Sequence, residues 1–357
     1  MNDNDAVLIA GGYGIVGSQV AENIRQRHPS LPLILAGRNP AKAQALAREL
    51  TNASTTMLDV EQPNPLNGIK PRAILAVVND PFDHLLMDAV HGGIPYLDIT
   101  RWTERLKAAV SRVSGEALRA PVMLSSAWMA GIGAVFAVAL SRQLQVTDHI
   151  DISILYSLQD KAGPNSAEYM DRLAIPFEVM INGSWKQICP FTDPHHITFP
   201  GGISTKVYRF DTPEQFTLPS TTGSKTVASR IGFDSTIATN LLVWLTRSGI
   251  WKLISGDRFT ALRRSLLYNP GNGASHEIVI EAAGVDENGK PKTVRADIID
   301  TKGQSHLTSV GALIQLERLL GLDGAPPPFP DIVYPDTVPQ IDSALQLVRD
   351  FGVSVTI

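Results

Sequence analysis

Ala6-Val7-Leu8-Ile9-Ala10-Gly11-Gly12-Tyr13-Gly14-Ile15-Val16-Gly17 is the stretch that decides the fold. A short apolar run, Val7–Ala10, reads as a strand and leads straight into Gly-x-Gly-x-x-Gly; a helical segment, Ser18–Gln26, follows. Glycine is needed three times, for three reasons. One turns the chain sharply out of the strand, a second lets a pyrophosphate approach the bare backbone, and a third lets the helix pack closely on the sheet. The new helix then points its unpaired N–H groups and the positive end of its dipole at the phosphates. The motif alone is weak, but the strand before it and the helix after it are the context it requires. The reading is a dinucleotide site built on Gly12, Tyr13, Gly14, Ile15, Val16 and Gly17.

Outward from this corner, strands and helices alternate. Strands are expected at Leu33–Ala36, Thr55–Leu58, Ala73–Val78, Tyr96–Ile99 and Val122–Leu124, with helices between them. Asn39-Pro40 reads as an N-cap with proline at the first helical position. The uniformly apolar Ala73–Val78 suits a strand covered on both faces. This rhythm predicts an α/β chain with a Rossmann-type doubly wound parallel sheet. Near residue 148 the pattern changes. Asp148–Tyr156 alternates like a half-buried strand, and Asn182-Gly183 and Asp286–Gly289 each separate two strand-like runs, as hairpin turns do. Helical patterns lie at Ser235–Thr246, Arg258–Leu267, Leu307–Leu320 and Gln340–Phe351. The expected division is a dinucleotide-binding domain, 1–128 and 305–357, and a second α+β domain, 129–304, on a mixed or antiparallel sheet. The C-terminal helices are expected to return to the first domain.

Composition narrows the class. A 357-residue chain, 44% hydrophobic and 18% charged, is long enough for two domains. A net charge of −4 gives no footprint for nucleic acid, and Cys189, the single cysteine, supports neither an intrachain disulfide nor a cysteine metal cluster. No metal site is expected: His195-His196 are adjacent, so they point in different directions, and no other ligand spacing supports them. The chain carries no signal-peptide pattern, and its most apolar window, Leu241–Leu245, is too short and too near Arg247 and Lys252 to span a bilayer. A cytoplasmic protein without nucleic-acid or membrane partners is expected.

The end of the second strand selects the cofactor. An acidic residue there binds the ribose hydroxyls of NAD, whereas an arginine accommodates the 2′-phosphate of NADP. Here the chain reads Leu35-Ala36-Gly37-Arg38-Asn39, with no carboxylate and with a planar guanidinium suited to phosphate. NADP is therefore the expected cofactor, with Gly37, Arg38 and Asn39 at its 2′-phosphate, Asp59 and Val60 near the adenine, and Val78 and Asn79 under the nicotinamide ribose. No Tyr-x-x-x-Lys pair and no P-loop are present.

Four segments resemble the saccharopine dehydrogenase-like family of NAD(P)-dependent oxidoreductases, in its short bacterial form. They are the glycine run Gly11–Gly17, Ala36-Gly37-Arg38-Asn39-Pro40-Ala41-Lys42-Ala43, Tyr96-Leu97-Asp98-Ile99-Thr100 and Tyr334-Pro335. The resemblance covers the first ~125 residues well and the middle only in outline. It departs after the sixth strand, where Gly-x-x-Pro-Gly is replaced by Trp128-Met129-Ala130-Gly131. The resemblance implies hydride transfer at a carbon bonded to nitrogen, to or from an imine or secondary amine of an amino-acid-like substrate held between the domains.

Asp98, after a buried strand, either handles a proton at the site or braces the next helix. Arg101 is a candidate clamp for a substrate carboxylate, and Trp128, Tyr208 and Arg209 are further candidate substrate contacts. Arg230 stands beside them, and Tyr156, Asp160 and Lys161 are weaker candidates. Two rival readings stay open: an NADPH-dependent carbonyl or enoyl reductase, which Trp128 would suit, and a non-catalytic cofactor-binding regulator. The apolar group around Trp244 and Trp251 leads to the expectation of a homodimer.

Overall fold

The computed structural model describes residues 3–160, 172–260, 271 and 273–357. Lys161 and most of the expected helix at Arg258–Leu267 lie outside the described residues. The chain divides into two compact units: Met1–Gly131 with Thr308–Ala344, and Ile132–Leu307 with Leu345–Ile357.

The first unit carries strands β1 (Val7–Ala10), β2 (Leu33–Gly37), β3 (Ala53–Met57), β4 (Ala73–Ala76), β5 (Tyr96–Arg101), β6 (Val122–Ser126) and β15 (Ile332–Val333). They form one sheet in the order β15-β6-β5-β4-β1-β2-β3, and every pair is parallel. This is the doubly wound order that the alternating sequence implied. Its helices are α1 (Ile15–Arg27), α2 (Gln44–Leu50), α3 (His84–Gly92) and α4 (Thr103–Val113). Each residue of β1 and β4 is buried, as their unbroken apolar character requires. α1 buries Gly17, Val20, Ala21 and Ile24, one stripe at helical spacing. α3 is held at its start by Asp80, whose buried carboxylate accepts the N–H groups of His84, Leu85 and Leu86 at 3.1, 2.8 and 3.3 Å. Those are first-turn donors with no partner inside the helix.

Asn39 differs from its expected role. Its side chain caps nothing; a 3₁₀ turn, Pro40–Ala43, precedes α2, and the Asn39 N–H donates to the Tyr13 hydroxyl at 2.9 Å.

The second unit is built on β7 (Val146–Tyr156), β10 (His195–Thr198), β11 (Ser204–Arg209), β12 (Thr226–Phe233), β13 (His276–Val285), β14 (Pro291–Asp300) and β16 (Ser354–Thr356). The sheet order is β10-β11-β12-β7-β13-β14-β16, mixed because only β12 and β7 run parallel. A separate hairpin, β8 (Phe177–Ile181) and β9 (Ser184–Ile188), turns at Asn182 and Gly183, both left-handed. Helix α5 (Ile132–Ser141) is apolar on all sides and buried from Ile132 to Leu140; it packs on β7, β13 and α6 (Glu214–Thr222). Helix α7 (Thr236–Arg247) meets β12, and α8 (Gln304–Leu320) begins in this unit and continues in the first. The last helix, α9, spans Ile341–Asp350. The chain end corrects an expectation. Residues 345–357 were assigned to the dinucleotide-binding domain, but they belong to the second unit, because β16 pairs antiparallel with the outer strand β14 and satisfies its edge. No helix among the described residues is long and apolar enough to cross a membrane.

Two outcomes follow from these packing relations. A Cβ at Gly17 would run into the carbonyl oxygen of Gly11, so Gly17→Ala should destabilise the protein by about 1–3 kcal/mol. Thermal unfolding would show it, and an unchanged melting temperature would contradict the close approach. His276, fully buried with its ring edge-on to Tyr156 at 6.5 Å, has its imidazole pushed down from 6.5 to about 4 by burial. Between those values the unfolded chain binds the extra proton, so its stabilising effect is complete above pH 6.5 and is lost as pH falls towards 4. His276→Gln should flatten that part of a stability-against-pH curve.

Candidate functional site

The carboxyl edge of the parallel sheet is where the candidate residues of the first unit collect. Gly14 precedes α1 in extended conformation, with no side-chain cap on the helix. A Cβ at Gly14 would meet only the Gly11 carbonyl oxygen, at 3.3 Å, so the space over this residue is open. The first-turn N–H groups of Ile15, Val16 and Gly17 have no partners within the helix and face this opening's end of α1. The bare backbone and exposed helix start fit the pyrophosphate of a dinucleotide.

At the end of β2, Arg38 is exposed and Gly37 occupies the strand's last position. Asp59 is half-buried and turns its carboxylate onto the N–H of Glu61 at 3.2 Å, while Val60 is buried. Val78 lies beneath the glycine loop: a Cβ on Gly11 would stand 3.2 Å from its own Cβ. Asn79 follows at the half-buried end of β4.

Sequence reasoning missed Met57 and Phe82. Together with Ile15 they are large apolar side chains left exposed on this edge, at 68%, 55% and 42%. Met57 ends β3, Phe82 follows β4 and Ile15 opens α1. Exposed apolar side chains at the carboxyl ends of strands are candidates for ligand contact. Their position just beyond an apolar strand was the available signal.

Asp98 and Arg101 are buried at zero exposure in a shared network. Asp98 Oδ1 accepts the Thr100 N–H at 2.8 Å and the Thr100 hydroxyl at 2.6 Å; Oδ2 accepts the Tyr96 hydroxyl at 3.2 Å and Arg101 Nε at 2.8 Å. Arg101 also pairs with Asp83 at 2.8 Å. Burial pulls the guanidinium towards its neutral form, but Asp98, Tyr96 and Asp83 outweigh it and hold its pKa above the usual value. Burial, then the Asp98 charge, raises the Tyr96 phenol. Burial also raises Asp80, against the backbone N–H groups it accepts. Arg105 ties the group to the β4 exit by donating to the Asp80 carbonyl. Asp98 is bonded wholly within β5, and Arg101 carries the connection to the start of α3 through Asp83.

The segment after β6 is buried too. Trp128 is 1% exposed, with its N–H on the Ser126 hydroxyl at 3.0 Å. Met129, Ala130 and Gly131 follow with φ of 55°, 47° and 83°. Consecutive left-handed residues are costly for side-chain-bearing positions and are kept where the surroundings enforce them. Here Pro335 abuts Gly131 so closely that a Cβ would overlap it. Trp128, a candidate substrate contact from the sequence, is thus buried at this corner.

In the second unit, Tyr208 is buried against Phe191, with ring centres 6.1 Å apart. Arg209 is buried, donating to Asp193 at 2.8 Å and to the Val227 carbonyl at 3.3 Å. Arg230 pairs with Asp151 and with Asp193 at 2.8 Å, and burial lowers its pKa to about 10. Arg209 and Arg230 thus share an ionic network with Asp151 and Asp193, and both guanidiniums are engaged within this unit. Asp160 accepts the Gln304 N–H at 2.8 Å. His195 and His196 are exposed on the edge strand β10, and no group of three potential metal ligands occurs among the described residues.

Removing one partner of a buried charge network leaves the others unpaired. Arg101→Met should therefore destabilise the protein by about 3–5 kcal/mol in chemical denaturation, and Asp98→Asn by less, since the amide oxygen still accepts the Thr100 bonds. Equal, small effects would contradict this pairing.

No protein-family model matches the chain, and no curated protein sequence does. Solved structures do. The chain is similar to apo saccharopine dehydrogenase (L-Glu forming) from Saccharomyces cerevisiae, with a TM-score of 0.66 at 14% identity over 99% of this chain and 100% of that one. It is also similar to amine dehydrogenase from Mycobacterium smegmatis, with a TM-score of 0.53 at 12% identity over 95% of this chain and 98% of that one. In its described residues the chain has the fold of saccharopine dehydrogenase.

Proposed function

We propose that the protein is an NADP(H)-dependent oxidoreductase that transfers hydride to or from an imine or secondary amine of an amino-acid-like substrate. The observation that carries the reading is the pairing of an open, uncapped start of α1 over Gly14 with an exposed arginine, Arg38, at a β2 end that has no carboxylate. The glycine backbone and the N–H groups of α1 would hold the pyrophosphate, Arg38 the 2′-phosphate, and Met57 and Phe82 the apolar faces of the bound molecule. The bound cofactor would supply the hydride; the chain positions it and keeps the ends of β4 and β5 rigid through Asp80, Asp98 and Arg101. Carbon–nitrogen chemistry is supported by the two proteins that share the fold, one named for saccharopine and the other for an amine.

A second reading has its own support. Arg101, Arg209 and Arg230, the guanidiniums suited to substrate carboxylates, are all engaged in ion pairs within their own units, and the β6 exit is apolar. These facts favour a less polar substrate, as for a carbonyl or enoyl reductase.

Arg38→Ala should weaken NADPH binding by about 10- to 100-fold, the loss of a charge-assisted contact, and leave NADH nearly unchanged. Titration of reduced-nicotinamide fluorescence reads both, and equal losses would remove the NADP assignment. NADPH oxidation that needs a keto acid and an amine together supports the first reading; oxidation by an aldehyde, ketone or enone alone supports the second.

A further inference from the structure

Tyr13 occupies the first variable position of the glycine motif, and its ring does not point away from the protein. A Cβ placed on Gly37 would lie 2.6 Å from Tyr13 Cε1, 2.6 Å from its hydroxyl oxygen and 2.8 Å from Cζ. The ring therefore lies directly over the last residue of β2. Its hydroxyl accepts the N–H of Asn39 at 2.9 Å. The same short segment is held on its other sides: the Gly37 carbonyl accepts the N–H of Leu58 at 3.1 Å, and the Asn39 carbonyl that of Lys42 at 3.2 Å. Arg38 is thus an exposed side chain on a backbone fixed before and after it.

The position that Tyr13 covers is the one where an acidic residue would bind the ribose hydroxyls of NAD. The φ angle of Gly37 is not in the left-handed region, so its backbone would accept any L residue. What a side chain there would meet is the Tyr13 ring, the end of a side chain that would have to swing aside and give up its bond to Asn39.

We infer that Tyr13 is the specificity-determining residue of the cofactor site: it excludes a carboxylate at position 37 and positions Arg38 for the 2′-phosphate. This inference rests on the NADP(H) reading above and deepens it. Selectivity is then built twice, by attraction at Arg38 and by exclusion at Gly37, a repulsive element beside an attractive one. Tyr13 and Gly37, 24 positions apart in sequence, act as one unit, so their substitutions should be strongly non-additive.

The test uses the intact chain and equilibrium binding of NADPH, NADH and adenosine 2′,5′-bisphosphate, with melting temperatures to check folding. Tyr13→Phe keeps the ring and removes one hydrogen bond; it should weaken NADPH and the bisphosphate about fivefold and leave NADH unchanged. Gly37→Asp should lose NADPH affinity without gaining NADH affinity, because the ring and the carboxylate compete for one space. Tyr13→Ala with Gly37→Asp should bind NADH at least tenfold more tightly than Gly37→Asp alone. The inference is overturned if Gly37→Asp gains as much NADH affinity with Tyr13 present as without it, or if Tyr13→Phe weakens both cofactors alike. An unmodified protein with no preference between NADPH and NADH removes the NADP(H) reading, and the inference with it; a preference insensitive to Tyr13 removes the inference alone.

Discussion

The first unit depends on one close approach, that of α1 to the glycine corner after β1. Helix and strand can meet there only because Gly17 has no side chain to set against the Gly11 carbonyl. That contact fixes the direction of α1, and with it the direction of the N–H groups at its start. The buried face of α1, Val20, Ala21 and Ile24, then packs within the unit, and Asn23 joins α8 through the Ser309 hydroxyl at 2.8 Å. The opening at the helix start, proposed above to take a phosphate, is left by the packing itself, without any charged side chain.

Charge enters at two other places on the same edge, in opposite forms. At β2 the guanidinium of Arg38 stands in solvent, with a rigid backbone beneath it. At β5 the guanidinium of Arg101 is sealed between Asp98 and Asp83. An exposed arginine is available to a ligand at little cost, whereas withdrawing Arg101 would take the cation from the fully buried Asp98 and leave the partly buried Asp83 with Arg105 alone. The same side chain is open to a ligand in one setting and tied into the protein in the other, and burial separates the two.

That difference also marks how far the sequence could be read. The β1–glycine–α1 corner, the alternation of strands and helices and the Asn182-Gly183 hairpin were legible because each depends on residues close together in the chain. The surroundings of Arg101, Tyr208 and Arg209 were not, because their partners come from other elements: Asp83 from the start of α3, Phe191 and Asp193 from the segment before β10. The final strand shows the same limit. Val353–Ile357 reads as a strand, yet nothing local says that β14 is its neighbour, so residues 345–357 were assigned to the other unit. Tyr13 was named as part of the glycine motif, but its contact with Gly37 spans two loops and is invisible to any local pattern.

On the proposed reading, this edge holds a dinucleotide bearing a 2′-phosphate. Calorimetric titration of the unmodified protein with adenosine 2′,5′-bisphosphate and, separately, with adenosine 5′-monophosphate isolates that one group. The account predicts that the bisphosphate binds at least tenfold more tightly, the expected worth of a charge-assisted contact to Arg38. Equal affinities would contradict it.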